Sequence, residues 1–311
     1  MDLSVRDGRA ADAARVAEMA TDTWPDRDAG DYVGDVYPRW VREAAESDDR
    51  RVLVAERDDE VVAVMRGCLL SETEGWAAGL RVAPAARGAG VGSRLTRATL
   101  DWLRSAGAAV CRNLVFGWNA PSLALSRATG FAPLTEFRFV EPRPDADAGA
   151  SADTGLAVVD DAEAARAFWR ACEAREHLGG LALDPGEPWA FSTLTDGRVR
   201  TAAEEGRLIA VEGAQIRGLT LRTRVGAPDD GDRVAEYGVG AWRPGDAEAA
   251  AALLDAVRRD AASVDADRTR VVVPESVAWV TDAASAGAGL ADAPDFVLAA
   301  DLAGDGETQT T

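Results

Sequence analysis

The stretch EPRPDADAGASADTG, residues 141–155, divides the chain into two parts of similar length. It is rich in Pro, Asp, Ala and Gly and has no apolar periodicity, so it reads as a linker. What constrains the fold is that the pattern before it recurs after it. Before it, LSVRD reads as a strand and AADAARVAEMATDTW as an amphipathic helix with Ala13, Val16, Ala17 and Ala20 on one face. DYVGDVYPRWVREAAES is a second helical stretch, interrupted near Pro38. RRVLVAERDDEVVAVMRGCLLSE is a hairpin turning at Asp58 and Asp59. A strand GWAAGLRVAP, a helix GVGSRLTRATLDWLRSAG stopped at Gly107, and a strand AAVCRNLVFG follow. A short helix APSLALSRATG, ended by Gly130, leads into a last strand, FAPLTEFRFVE.

After the linker, GLAVVD is a strand and DAEAARAFWRACEAREHL a helix. RLIAVEGAQIRGLTLRT is a hairpin, RVAEYGVGAWRPG a strand, and DAEAAAALLDAVRRDAASV a long helix. TRVVVP, ESVAWVTDAASAG and DFVLAADL close this half as strand, short helix and strand. Hairpin, strand, long helix, strand, short helix and strand thus recur in one order. The recurrence favours an internal duplication over two unrelated α+β domains. The expected organisation is a first domain over 1–142, a linker over 143–155, a second domain over 156–302 and a frayed tail over 303–311.

Charge excludes some partners. The chain has 53 acidic and 34 basic residues, a net charge of -19, and every basic side chain is arginine. The acids are spread through all segments, which disfavours binding to nucleic acid phosphates. Such a surface fits a halophile-like, high-salt cytoplasm, where screening weakens self-repulsion. No apolar run approaches the roughly 18–20 residues that span a bilayer. No membrane association is expected, and the amino-terminal residues lack a basic-then-apolar signal. Cys68, Cys111 and Cys172 are far apart, and His177 is the only histidine, so no metal site is expected.

The strongest chemical signal is RVAPAARGAGVGSRL, residues 81–95, with Gly88, Gly90 and Gly92 at alternate positions before a helix. The first amides of a helix have no internal partner and carry the positive end of its dipole. Glycines let successive amides turn towards one anion, and Arg87 adds charge at the mouth. A Walker loop requires a lysine, which this chain lacks. A dinucleotide fingerprint needs its third glycine at Ser93 or Leu95, so that spacing also fails.

A third pattern fits. Arg87, Gly90 and Gly92 fall on the Arg/Gln-x-x-Gly-x-Gly/Ala signature, with Val82 and Pro84 before it and Leu95 after it. Asn119, Gly130 and Phe131 match a downstream Asn, short helix and Gly-Phe. With the element order of residues 1–140, these motifs resemble the GCN5-related N-acetyltransferase (GNAT) superfamily. The resemblance implies an α/β fold of two tandem acyl-CoA N-acyltransferase (GNAT-like) domains. Each would be a mixed, mostly antiparallel twisted sheet with helices on both faces and a splayed central strand pair. It implies an acetyl-CoA-dependent N-acetyltransferase that transfers acetyl to a primary amine, on a small molecule or peptide, in a ternary complex. The protein would act as a monomer or homodimer.

In that reading, amides of Gly88, Ala89, Gly90, Val91, Gly92 and Ser93, with Arg87, hold the pyrophosphate of coenzyme A. Backbone near Leu80 and Val82 binds the pantetheine arm, and Asn119 fixes the arm near the next helix. Glu72 and Glu74 are the candidate bases, against a reading as solvated loop acids. Ser126 stands where the family often carries a tyrosine acid, and its hydroxyl is a much poorer acid than a phenol of pKa about 10. Trp24, Tyr32, Tyr37 and Trp40 could line an acceptor cleft, with Asp22, Asp26 or Asp35 holding an amine; aromatic packing is the plainer reading of the four rings. In the second half the corresponding place reads AWRPGDAEAA, with Asp246 and Glu248 in the first helical turn, where they would repel a pyrophosphate. That half is read as degenerate. A non-catalytic acyl-CoA-binding sensor or regulatory protein is the alternative.

Overall fold

The structure is a computed structural model and describes residues 3–21, 23, 31–149, 155–226 and 231–304. It divides into two compact units. The first contains residues 1–115, 119–133 and 298–311, and the second contains 116–118 and 134–297.

The first unit starts with β1 (Leu3–Asp7), α1 (Ala13–Thr21) and α2 (Val33–Glu46). Strands β2 (Arg50–Arg57), β3 (Glu60–Leu69) and β4 (Glu74–Val82) follow, then α3 (Val91–Ser105), β5 (Val110–Phe116) and α4 (Ala120–Ala128). The β2–β3 hairpin turns at Asp58 and Asp59, whose φ angles of 51° and 66° suit a tight two-residue turn. Its strands are near-continuous apolar runs because helices cover both faces. Successive β3 residues show this. Arg66 lies against the Trp40 ring of α2, with its guanidinium carbon 5.3 Å from the centroid. A side chain at Gly67 would instead meet Trp102 of α3 at 2.8 Å.

Helix α2 runs through Pro38, where the sequence predicts an interruption. Pro38 stands in the second turn, so the lost hydrogen bond falls at the start of the helix. The candidates Asp22, Trp24 and Asp26 lie outside the described residues.

The remaining elements begin with β6 (Ala132–Glu141), β7 (Ala157–Val159), α5 (Ala162–Ala171) and α6 (Glu173–His177). Next come β8 (Leu181–Leu183), β9 (Phe191–Thr193), α7 (Asp196–Glu204), β10 (Leu208–Glu212) and β11 (Ile216–Gly226). Strand β12 (Val234–Trp242), α8 (Ala247–Ser263), β13 (Arg268–Pro274), α9 (Val277–Ser285), β14 (Gly289–Leu290) and β15 (Asp295–Asp301) complete the chain. The helix expected over 161–178 breaks at Cys172, whose ψ of 145° is extended. The β8–β9 hairpin and α7 fall in a segment for which the sequence yields no prediction.

The last strands differ most from expectation. The sequence assigns FAPLTEFRFVE to the first domain and DFVLAADL to the second. In the first unit, the place beside β5 is taken by β15, and Leu302 N donates to Ala109 O at 2.8 Å. In the second unit, β6 lies against β13, with Val271 opposite Val140. Pro142 and residues 143–149 of the expected linker also pack into the second unit: Thr269 Oγ1 bonds Pro142 O, and Asp145 N donates to Arg258 O at 3.1 Å.

Candidate active site

Strands β4 and β5 run parallel and pair at Glu74–Val110, Gly75–Cys111 and Trp76–Arg112. Beyond Trp76 they diverge, which opens a V between Ala77–Val82 on one side and Asn113 onward on the other. On its other edge β4 carries a bulge. Val64 pairs with Arg81 and Arg66 with Ala78, so Gly79 and Leu80 face the single residue Met65. A bulge leaves its extra residue out of the ladder. Gly79 has φ +70° and sits so close beneath Trp40 that a Cβ would lie 2.5 Å from the ring.

At the open end of the V, the chain leaves Val82, makes one short turn and enters α3 at Gly90. Gly88 and Gly90 have φ of +75° and +76°, the left-handed region that glycine takes without strain. The first helical hydrogen bond runs from Arg94 N to Gly90 O at 3.0 Å. The amides of Val91, Gly92 and Ser93 therefore precede the helical ladder. Gly92 serves space instead of φ: a Cβ there would stand 3.2 Å from Leu125 Cδ2 and 3.5 Å from Val82 Cγ2. Gly88, Ala89 and Gly90 are exposed, as an anion cradle requires. The exposed Arg87 returns to the strand, with Nε donating to Val82 O at 3.1 Å.

The other sequence candidates are spread around this V. Leu80 and Val82 lie on its β4 wall, half-buried. Asn119 caps α4, its Oδ1 accepting from Ser122 N at 3.2 Å. Ser126 is 6% exposed on α4, and its Oγ receives Nδ2 of Asn113 at 3.0 Å. Glu74 is held by Arg112 through a 2.5 Å ion pair, at the closed end of the strand pair. Glu72 is exposed in the turn before β4. Tyr37 is fully buried and bonds Arg9 O at 3.2 Å, which makes it a core residue. Tyr32 and Trp40 meet edge to face with centroids 6.4 Å apart. Asp35 is in the first turn of α2.

Two arrangements were not foreseen. Asp31 and Arg81 form a buried pair below α2, with Arg81 Nη2 to Asp31 Oδ1 at 2.8 Å and side chains 1% and 7% exposed. Asn113, the first β5 residue past the last pair, is 9% exposed, and its Oδ1 has no hydrogen-bond partner among the described residues. Its polar character in the strand VCRNLVF was the only signal available from sequence.

The second unit repeats the layout with a different outcome. Strands β12 and β13 are parallel from Val234–Arg268 to Tyr237–Val271, and Gly238 and Val239 form the matching bulge opposite Leu221. Pairing thus continues to the residue before the bulge, where in the first unit it stops two residues short of that position. Beyond it the space is filled. Trp242 is fully buried, its Nε1 donates to Asp282 Oδ2 at 3.0 Å, and Trp279 Nε1 donates to Trp242 O at 3.2 Å. Asp282 also receives the amide of Gly245 at 2.8 Å. Asp246 caps α8 by accepting Ala249 N at 3.1 Å, and Arg217 bonds both Asp246 and Glu248. Carboxylates of the chain itself occupy this helix start. His177, at the end of α6, contacts Glu136 O through Nε2 at 3.0 Å and edges the Trp279 ring.

Residues 13–131 match the model of the acetyltransferase (GNAT) family. This region is similar to a GNAT domain. The match covers α1 to the start of β6 and includes the glycine turn, the V and Ser126. No curated protein matches the chain in sequence. Among solved structures, a GCN5-related N-acetyltransferase from Sphaerobacter thermophilus is similar over 99% of this chain and 98% of its own, with 14% identity and a TM-score of 0.63. Its likeness shows a shared mixed α/β fold across both units. The putative acetyltransferase yncA from Salmonella typhimurium, solved with its cofactor acetyl-CoA, covers 44% of this chain and 83% of its own at 22% identity and TM-score 0.38. A paia N-acetyltransferase from Thermoplasma acidophilum in complex with coenzyme A covers 43% and 92% at 16% identity and TM-score 0.39.

Proposed function

We propose that the GNAT-like region is an acetyl-CoA-dependent N-acetyltransferase acting on a primary amine of a small molecule or peptide. The observation that carries this reading is the turn from Arg87 to Ser93, where two left-handed glycines bare helix-start amides at the mouth of a splayed strand pair. The cradle fits a pyrophosphate: it is exposed, holds no carboxylate, and a side chain at Gly92 would crowd the groove between Val82 and Leu125. Amides of Gly88, Ala89, Gly90, Val91, Gly92 and Ser93 hold the diphosphate, assisted by Arg87. The arm runs down the V along Leu80 and Val82, with Asn119 beside it.

Coenzyme A supplies the acetyl group as a thioester. The β4 bulge at Gly79–Leu80 offers an unladdered amide to the carbonyl oxygen that gains charge, the role of an oxyanion hole. The amine nitrogen bonds the acetyl carbon, the carbon–sulfur bond breaks, and the proton lost by nitrogen ends on sulfur. Ser126 donates a hydrogen bond to the departing sulfur. Glu72, exposed beside the closed end, is freer to pass a proton to water than Glu74, which Arg112 holds. Tyr32 and the Asp31–Arg81 pair mark the side of β4 from which the amine enters. The second unit, mostly residues 134–297, keeps the duplicated fold without donor binding and completes the molecule structurally. The acidic surface fits work in a salty cytoplasm, away from nucleic acid and membranes; among the described residues no helix is long and apolar enough to cross one.

Two observations favour a second reading, a sensor that binds acyl-CoA without transfer: the tyrosine place holds Ser126, and Glu74 is engaged by Arg112. Calorimetry with acetyl-CoA in high salt, followed by thiol release across a panel of amines, separates these. Binding with release from at least one amine is the expected result. A folded protein that produces no heat would defeat both readings, and binding without release from any amine would favour the sensor.

A further inference from the structure

Asn113 stands at the apex of the V, the point where anything lying between β4 and β5 must end. Its side chain is buried on the face that meets α4, and Nδ2 donates to Ser126 Oγ at 3.0 Å. Its Oδ1 is buried, with no donor among the described residues. A buried amide oxygen without a hydrogen bond costs about 1–3 kcal/mol, so strands rarely keep one without a use. An aliphatic residue there would pack against α4 without that cost.

We propose that Asn113 is a positioning residue with two ends: Nδ2 fixes the Ser126 hydroxyl, and Oδ1 accepts an N–H from the thiol arm of the acyl carrier. This rests on the proposed coenzyme A reading and deepens it. The arm carries an amide N–H two carbons from sulfur, so one contact at the apex sets the sulfur's depth. With its oxygen already accepting from Asn113, the Ser126 hydroxyl directs its proton to a third group. In the V that group is the sulfur. One side chain thus places the thioester and aims the donor that meets it. No proton passes through Asn113 itself.

The test uses the full chain in high salt and two probes, coenzyme A and 3′-phosphoadenosine 5′-diphosphate, which keeps the phosphates and lacks the arm. Asn113→Leu should weaken coenzyme A about tenfold and leave the nucleotide probe within about twofold. Asn113→Asp keeps an acceptor oxygen and should restore coenzyme A affinity to within about threefold, while losing kcat because it cannot donate to Ser126. Ser126→Ala should lower kcat with coenzyme A affinity unchanged. If Asn113→Leu weakens both probes equally, or neither, the inference fails while the coenzyme A reading stands. If the wild type binds the nucleotide no less tightly than coenzyme A, the arm makes no contact and the inference fails. Wild-type protein that binds neither probe would overturn the coenzyme A reading itself. Should Asn113→Leu not fold, the Asn113→Asp and Ser126→Ala pair still decides, since a structural role would not split affinity from kcat.

Discussion

Helices α3 and α8 begin at corresponding places, each after a bulged strand that parts from a parallel neighbour, yet their first turns hold opposite charges in readiness. At α3, Gly88 and Gly90 expose amides and Arg87 stands beside them. At α8, Asp246 caps the amides, and the Gly245 N–H is bound by Asp282. Every helix start needs an acceptor. A chain that supplies its own acceptor gains a stable cap and gives up the anion site, and one that withholds it leaves the site to a ligand. The same contrast extends down the two V-shaped gaps. Trp242 and Trp279 fill one, while the apex of the other is lined by the polar pair of Asn113 and Ser126.

The contrast can be broken most directly at the two glycines. Gly90→Asp places a carboxylate in the cradle at a φ of +76° and should weaken coenzyme A about a thousandfold, roughly 4 kcal/mol by calorimetry. Gly245→Asp at φ +85° should leave that affinity unchanged; equal losses in both variants would remove the assignment of the anion to α3. The next effect is on stability. Asp282→Ala orphans the indole N–H of Trp242 and the amide of Gly245, and should cost about 3 kcal/mol in urea unfolding. Loss well below about 1 kcal/mol would show that Asp282 is not the lock on this helix start. Asp246→Ala removes a cap and should cost about 1 kcal/mol, with no gain in coenzyme A binding.

The remaining effect concerns pH, and its sign differs between the units. In the first, the hydrogen bond from Arg6 holds Asp12 below the ordinary carboxylate range of 3.8. That contribution is present at neutral pH and is lost as pH falls through the lowered value. In the second, burial pushes Asp295 up from 3.8 to about 6, opposed by the Gly117 amide and Arg138. Its folded form holds the proton more tightly than the unfolded chain, so stability is greatest below 3.8 and declines as pH rises to about 6. Stability followed from pH 4 to 6 should show that decline, and Asp295→Asn should flatten it; an unchanged slope in the variant would assign the decline to another group.

Much of the first unit was legible because its signals are short-range. The hairpin turn at Asp58 and Asp59, the stops at Gly107 and Gly130, and the glycine turn each depend on a few consecutive φ values. Ser126 could be located by counting back from Phe131. Asn113 was not singled out, because its meaning depends on α4 lying against β5 at one particular depth. Asp31 and Arg81 escaped for a similar reason: fifty residues separate them, and in a chain with 53 acids a lone aspartate carries no signal. The break at Cys172 has no proline or glycine to announce it.

By itself the sequence determined where α3, α4 and α8 begin, which of them lacks a cap of its own, and which strand precedes the anion turn. Those follow from backbone conformation and charge within one or two turns, and neighbours in sequence decide them. Tertiary structure alone decided which strand closes each unit. Strands β6 and β15 both follow a short helix and carry similar apolar patterns, and a sheet edge accepts any strand whose hydrogen bonds and alternation fit. The choice between them depends on packing against residues more than a hundred positions away, as at Val140 on Val271 and Leu302 on Ala109.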